Sequence, residues 1–153
     1  MRSSKPILLV EDDRVDAMTV KRAIKDLKVT NQLIHAANGE EALEYLRGQG
    51  NQLPCIILLD LNMPKMNGIE FLQIVKEDEE WKKIPVVVLT TYGEEQDIIE
   101  SFDLSVVGYM VKPTDYKKFV ETVKAIDMYW TLSRMAEEER EATNAKLKTN
   151  TAC

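Results

Sequence analysis

A chain of 153 residues, 44% hydrophobic and 30% charged, has the composition of an ordinary globular protein. That length leaves room for one core of the common ~100–150 residue size with a short appendage, not for two cores. A formal net charge of −6 with no basic stripe argues against a nucleic-acid partner.

The apolar runs, such as Ile56 to Leu59 and Val86 to Leu89, are far too short to cross a bilayer. Met1 to Pro6 lacks the apolar stretch of a signal peptide, so a cytoplasmic protein with no membrane partner is expected. Cys55 and Cys153 have neither metal-ligand spacing nor a disulfide framework, and Cys55 is read as a small core residue.

In chain order, the first apolar burst is Ile7 to Val10, the length of a strand buried on both faces. Helical spacing follows from Val15 to Leu27, then a second burst from Leu33 to Ala36, and a second helix from Gly39 to Arg47 marked by Ala42, Leu43 and Leu46. The third burst runs from Cys55 to Leu59, with a helix over Gly68 to Lys76 carrying Ile69, Leu72 and Val75 on one face. Pro85, tolerated at a strand start, introduces the fourth burst, Val86 to Leu89. A helix over Glu94 to Phe102, a strand over Val106 to Val111 and a long helix from Asp115 to about Met135 complete the series.

Strands separated by helices run parallel through right-handed crossovers, with helices on both faces of the sheet. The expected fold is therefore α/β, a flavodoxin-like (βα)5 three-layer sandwich with strand order 2-1-3-4-5 and an extended C-terminal helix. Residues 1–135 form the expected domain, and 136–153 a polar, charged tail, partly helical or disordered.

Ligands of such sheets bind at the carboxyl ends of the strands. There the sequence places Glu11-Asp12-Asp13, Asp60, Thr90-Thr91 and Lys112-Pro113. Carboxylates brought together at Asp12, Asp60 and Glu11 repel one another and require a cation. Mg²⁺ fits best, being a hard ion that takes one or two carboxylates and leaves positions for phosphate oxygens. With that ion and the Lys112 ammonium neutralising a phosphoryl group, Asp60 can attack phosphorus in line, and Thr90 can donate its hydroxyl to the new phosphoryl oxygen. Asp13 has a plainer use as the cap of the first helix.

These segments, Ile7-Leu8-Leu9-Val10-Glu11-Asp12-Asp13, Ile57 through Gly68, Val88-Leu89-Thr90-Thr91 and Gly108 through Pro113, resemble the receiver domains of two-component response regulators over roughly residues 5 to 127. The resemblance implies that Asp60 is the phosphoacceptor and that Mg²⁺ is held by Asp12, Asp60 and the backbone carbonyl of Asn62, with Glu11 completing the acidic pair. It further implies Thr90 as the switch hydroxyl, Tyr109 as the switch aromatic, and Lys112 as the phosphate-binding ammonium before a cis bond to Pro113. A finer resemblance, through Val88 to Thr91, Ser101 to Val106 and Lys124 to Trp130, is to the small regulators associated with cyanobacterial-type phytochromes. Implied partners are a sensor histidine kinase, of phytochrome type on the finer resemblance, or a phosphotransfer protein, with signalling through protein contacts and no substrate turnover. Thr91 departs from the very small residue usual after the switch threonine.

Other functions compete, a flavin-binding flavodoxin being set aside because Glu11-Asp12-Asp13 would repel its phosphate. An aspartyl-nucleophile phosphatase needs an acid two residues after the nucleophile, where Asn62 stands and cannot move a proton. An unphosphorylated docking module would not require the full residue set. His35, the single histidine, is read as structural and away from the site. Gly68 is read as the residue that lets the loop turn into the third helix. In the last helix, Phe119, Val123, Ile126 and Trp130 form one stripe for the sheet, while Met128, Leu132 and Met135 point roughly the other way and are expected to pair two copies into a homodimer.

Overall fold

The computed structural model describes residues 5–61, 63, 66–90, 104–111 and 116–125. Five strands, β1 (Ile7–Val10), β2 (Leu33–Ala36), β3 (Ile56–Asp60), β4 (Val86–Thr90) and β5 (Gly108–Val111), form one parallel sheet in the order β2-β1-β3-β4-β5. Helices α1 (Arg14–Asp26), α2 (Gly39–Arg47) and α3 (Gly68–Glu77) connect the early strands, and helix recurs over 116–125. The expected helix over 94–102, the late part of the last helix and the tail lie outside the described residues.

Strand periodicity divides the core into two layers. Leu8, Val10, Ile57, Leu59, Val86 and Val88 face α2 and α3, meeting Ala42, Leu43, Leu46, Phe71, Leu72 and Val75. Ile7, Leu9, Ile56, Leu58, Val87 and Leu89 face the other way onto Ala17, Val20, Ala23 and Ile24 of α1 and Phe119 of the 116–125 helix. Each fully buried aliphatic side chain contributes about 1.5–3 kcal/mol relative to exposure, so the sheet is a rigid platform. Phe119 and Val123 therefore stand where their stripe predicts; Ile126 and Trp130 are outside the described residues. Tyr116 ties that helix to α1: its hydroxyl donates to Asp26 Oδ2 at 2.6 Å, and the Arg22 guanidinium lies 4.3 Å from its ring centroid.

Element ends differ slightly from expectation. β3 begins and ends one residue later than expected, at Ile56 instead of Cys55 and at Asp60, which is still in register with Leu89 of β4. β5 begins at Gly108, not Val106, although Val106 is buried in the layer against α2 and α3 and the Val107 N–H donates to Val86 O at 2.9 Å. Cys55 is buried, as its type suggests, with its backbone N–H donating to Pro6 O at 2.9 Å.

Gly68 acts through close approach more than through a turn. A Cβ built there falls 2.5 Å from Asp60 O and 2.5 Å from Leu61 Cα, both backbone atoms that cannot rotate away. The absence of a side chain lets the start of α3 abut the end of β3, where the Gly68 N–H donates to Leu61 O at 2.9 Å. Gly68→Ala is expected to destabilise the fold by about 1–3 kcal/mol through overpacking, read as a lowered denaturation midpoint in urea.

Candidate metal and phosphoacceptor site

The site begins where β1 ends. Glu11 continues the ladder by donating its N–H to Ala36 O at 3.0 Å, which carries its side chain into a fully buried position. The chain then turns sharply into α1. Asp13 caps that helix, its Oδ1 accepting from Val15 N at 2.8 Å and Asp16 N at 3.0 Å. The Asp13 N–H in turn donates to Glu11 Oε1 at 3.3 Å. Asp13 is thereby occupied as a cap, and Asp12, exposed between the two, is presented toward the sheet edge.

The second contribution comes from β3, whose last residue is Asp60. Only 2% of Asp60 is exposed, and its Oδ2 is closed off from solvent, as is Glu11 Oε2. Carboxylate oxygens of Glu11, Asp12 and Asp60 all lie within 4.8 Å of one another. Two like charges about 4 Å apart repel by about 1 kcal/mol in bulk water and about 4 kcal/mol at an effective dielectric of 20. Three such pairs, two members of them buried, therefore favour a bound cation strongly. The donor set is oxygen only, which selects a hard divalent ion over a thiophilic one. These residues fit a metal.

Of the remaining expected residues, Thr90 and Tyr109 are described. Thr90 closes β4, one residue beyond the partner of Asp60 and in register with Val111 of β5. Tyr109 stands on β5 with its side chain about half exposed, at 48%. Asn62, Thr91, Lys112 and Pro113, with the expected cis bond, lie outside the described residues.

The reading of His35 as remote from the site is corrected. Its ring Nε2 lies 2.8 Å from the backbone carbonyl oxygen of Glu11. Side-chain chemistry alone would not reveal this, because the contact depends on the register that pairs Leu9 with His35 and Val10 with Ala36.

The arrangement of acids at the ends of parallel strands, in a sheet of this order, defines a response regulator receiver. The family model for the response regulator receiver domain matches residues 7–124, and the chain belongs to that family. Among curated relatives, the probable methanogenesis regulatory protein FilR2 of Methanothrix harundinacea is 40% identical over 127 residues, covering 81% of this chain and 82% of its own. Among solved structures, the phosphorylated cyanobacterial phytochrome response regulator RcpA is 38% identical with a TM-score of 0.77, covering 84% of this chain and 95% of its own. The Mn²⁺-bound form of response regulator Rcp1 is 39% identical with a TM-score of 0.74, covering 82% and 94%.

Asp13→Ala is expected to cost about 1 kcal/mol as a lost helix cap while leaving the Mn²⁺ dissociation constant within about twofold of the parent, since a twofold change corresponds to only about 0.4 kcal/mol. Thermal denaturation and a metal titration on the same preparation check both halves; loss of metal binding together with an unchanged melt would make Asp13 a ligand instead.

Proposed function

We propose that this response regulator accepts a phosphoryl group on Asp60 from a sensor histidine kinase and signals by the rearrangement that follows. The observation carrying this reading is the gathering of Glu11, Asp12 and Asp60, with Asp60 buried at the end of a central strand. A buried carboxylate held by the strand ladder is a pre-oriented nucleophile. Its oxygen forms the new bond to phosphorus as the bond from phosphorus to the donor's imidazole nitrogen breaks, leaving an acyl phosphate. Asp12, Asp60 and the Asn62 carbonyl would hold Mg²⁺, which when bound supplies charge neutralisation for the acids and the incoming phosphoryl oxygens. The Mn²⁺-bound form of Rcp1 supports a divalent ion of this chemistry.

Lys112 would add its ammonium to the phosphoryl oxygens, and the Thr90 hydroxyl would donate to one of them. That second contact exists only after transfer, which gives the two states different interactions, as a switch requires. Tyr109, half exposed on β5, would follow Thr90 and carry the change to the surface. The chain thus acts as a phosphoacceptor without turning over a separate substrate, and works in the cytoplasm. Residues 1–135 form the receiver and 136–153 a charged tail.

With Mg²⁺ and a small acyl-phosphate donor, the parent is expected to gain one phosphoryl group, and chelation of the metal to prevent it. Intact-mass spectrometry reads the result; full labelling of Asp60→Asn would make Asp60 the wrong acceptor.

The resemblance to RcpA, a phytochrome response regulator by name, further supports a phytochrome-type kinase as donor, and the recurrence of Met128, Leu132 and Met135 at helical spacing supports pairing of two copies through the last helix. Those three residues lie outside the described region. Light scattering after gel filtration is expected to show a dimer for the parent and a monomer for Leu132→Glu at about tens of micromolar, the range of a weak interface. A parent that stays monomeric both with and without a phosphoryl mimic removes the dimer from this proposal.

A further inference from the structure

We propose that His35 is a positioning residue for the metal site, acting through a hydrogen bond to the peptide group that joins Glu11 to Asp12. The inference rests on the reading of Glu11, Asp12 and Asp60 as a metal-holding cluster. A carbonyl oxygen only accepts, so the 2.8 Å contact assigns the proton to His35 Nε2, which donates to Glu11 O.

Three features make this bond more than a strand-edge contact. First, the accepting carbonyl belongs to the peptide between two acids of the cluster, so its direction fixes the orientation in which Asp12 leaves Glu11. Second, Glu11 is held on the same side by its own N–H, which donates to Ala36 O at 3.0 Å, so β2 grips both polar backbone groups of this residue. Third, two further contacts described on the turn act downstream or on the side chain: the Asp13 N–H on Glu11 Oε1, and Asp13 as the cap of α1. His35 is thus the side chain of β2 that fixes the Glu11–Asp12 peptide plane.

The mutual repulsion of the three acids acts against this grip. A peptide plane free to rotate would let Asp12, the exposed member, swing toward solvent and relieve that repulsion. Holding the plane keeps Asp12 in the cluster before the ion arrives, and the ordering is then not charged against metal affinity.

His35 is exposed, so replacing it opens no core cavity. His35→Val removes the donor while keeping good strand propensity, and His35→Gln keeps an N–H at a similar reach. Titration of the unphosphorylated parent and both variants with Mn²⁺, free ion being measured by electron paramagnetic resonance, is expected to show His35→Val weakened by about three- to ten-fold, the size of one hydrogen bond. His35→Gln is expected to stay within about twofold of the parent, and the metal-free melting temperatures of all three to agree closely. Parental affinity in His35→Val overturns the proposal. Equal weakening in both variants also overturns it, because the donor would then be irrelevant, and so does a loss of affinity that merely follows a fall in melting temperature. The parental titration separately tests the metal reading: if the parent binds no Mn²⁺, that reading fails and this inference with it.

Discussion

Electrostatic repulsion among Glu11, Asp12 and Asp60 is the constraint on which the rest of the molecule depends. Glu11 and Asp60 are almost wholly withdrawn from water, and their oxygens lie within 4.8 Å of each other and of Asp12. An unsupported chain would separate such groups, since each is better solvated alone. They are held together because each is attached to backbone that has little freedom: Glu11 through the β1–β2 ladder and Asp60 through the β3–β4 register. The tension between fixed backbone and repelling side chains is what favours a cation at this site.

The two core layers provide that fixity. β1 and β3 are central, and their side chains alternate between the layer against α2 and α3 and the layer against α1. Neither strand can slip by one residue without turning its whole apolar set to the wrong face. Register is therefore strongly specified at the two strands that deliver the acids. The loops that follow are constrained in turn, by the Asp13 cap at the entry to α1 and by the missing side chain of Gly68 at the entry to α3. The acids sit at the strand ends and the turn that follows β1, and their precision comes from the strands themselves.

Similarity to known regulators extends across most of the chain, yet the names of those relatives point to different inputs. A regulator named for methanogenesis, 40% identical, is about as similar in sequence as one named for a phytochrome, 38% identical. A common receiver architecture serves these different settings, because the acid cluster depends on strand register and not on the identity of the kinase.

The sequence by itself determined the five strands, the helices α1 to α3 and the meeting of Glu11, Asp12 and Asp60 at one edge, because these follow from periodicity and from acids placed directly after apolar strands, while the sheet order followed from the fold class that this alternation implies. It also made Asp13 legible as a cap, since capping is a matter of a residue and its next two or three neighbours. Tertiary structure alone decided the use of His35, whose contact with Glu11 O spans two strands and depends on their register. It also decided why position 68 is glycine: the limit there is the backbone of Asp60 and Leu61 pressing from a neighbouring element, not the local turn. Local signals travel along the chain and can be read from it, whereas cross-strand register and the close approach of two backbones exist only after the sheet has formed.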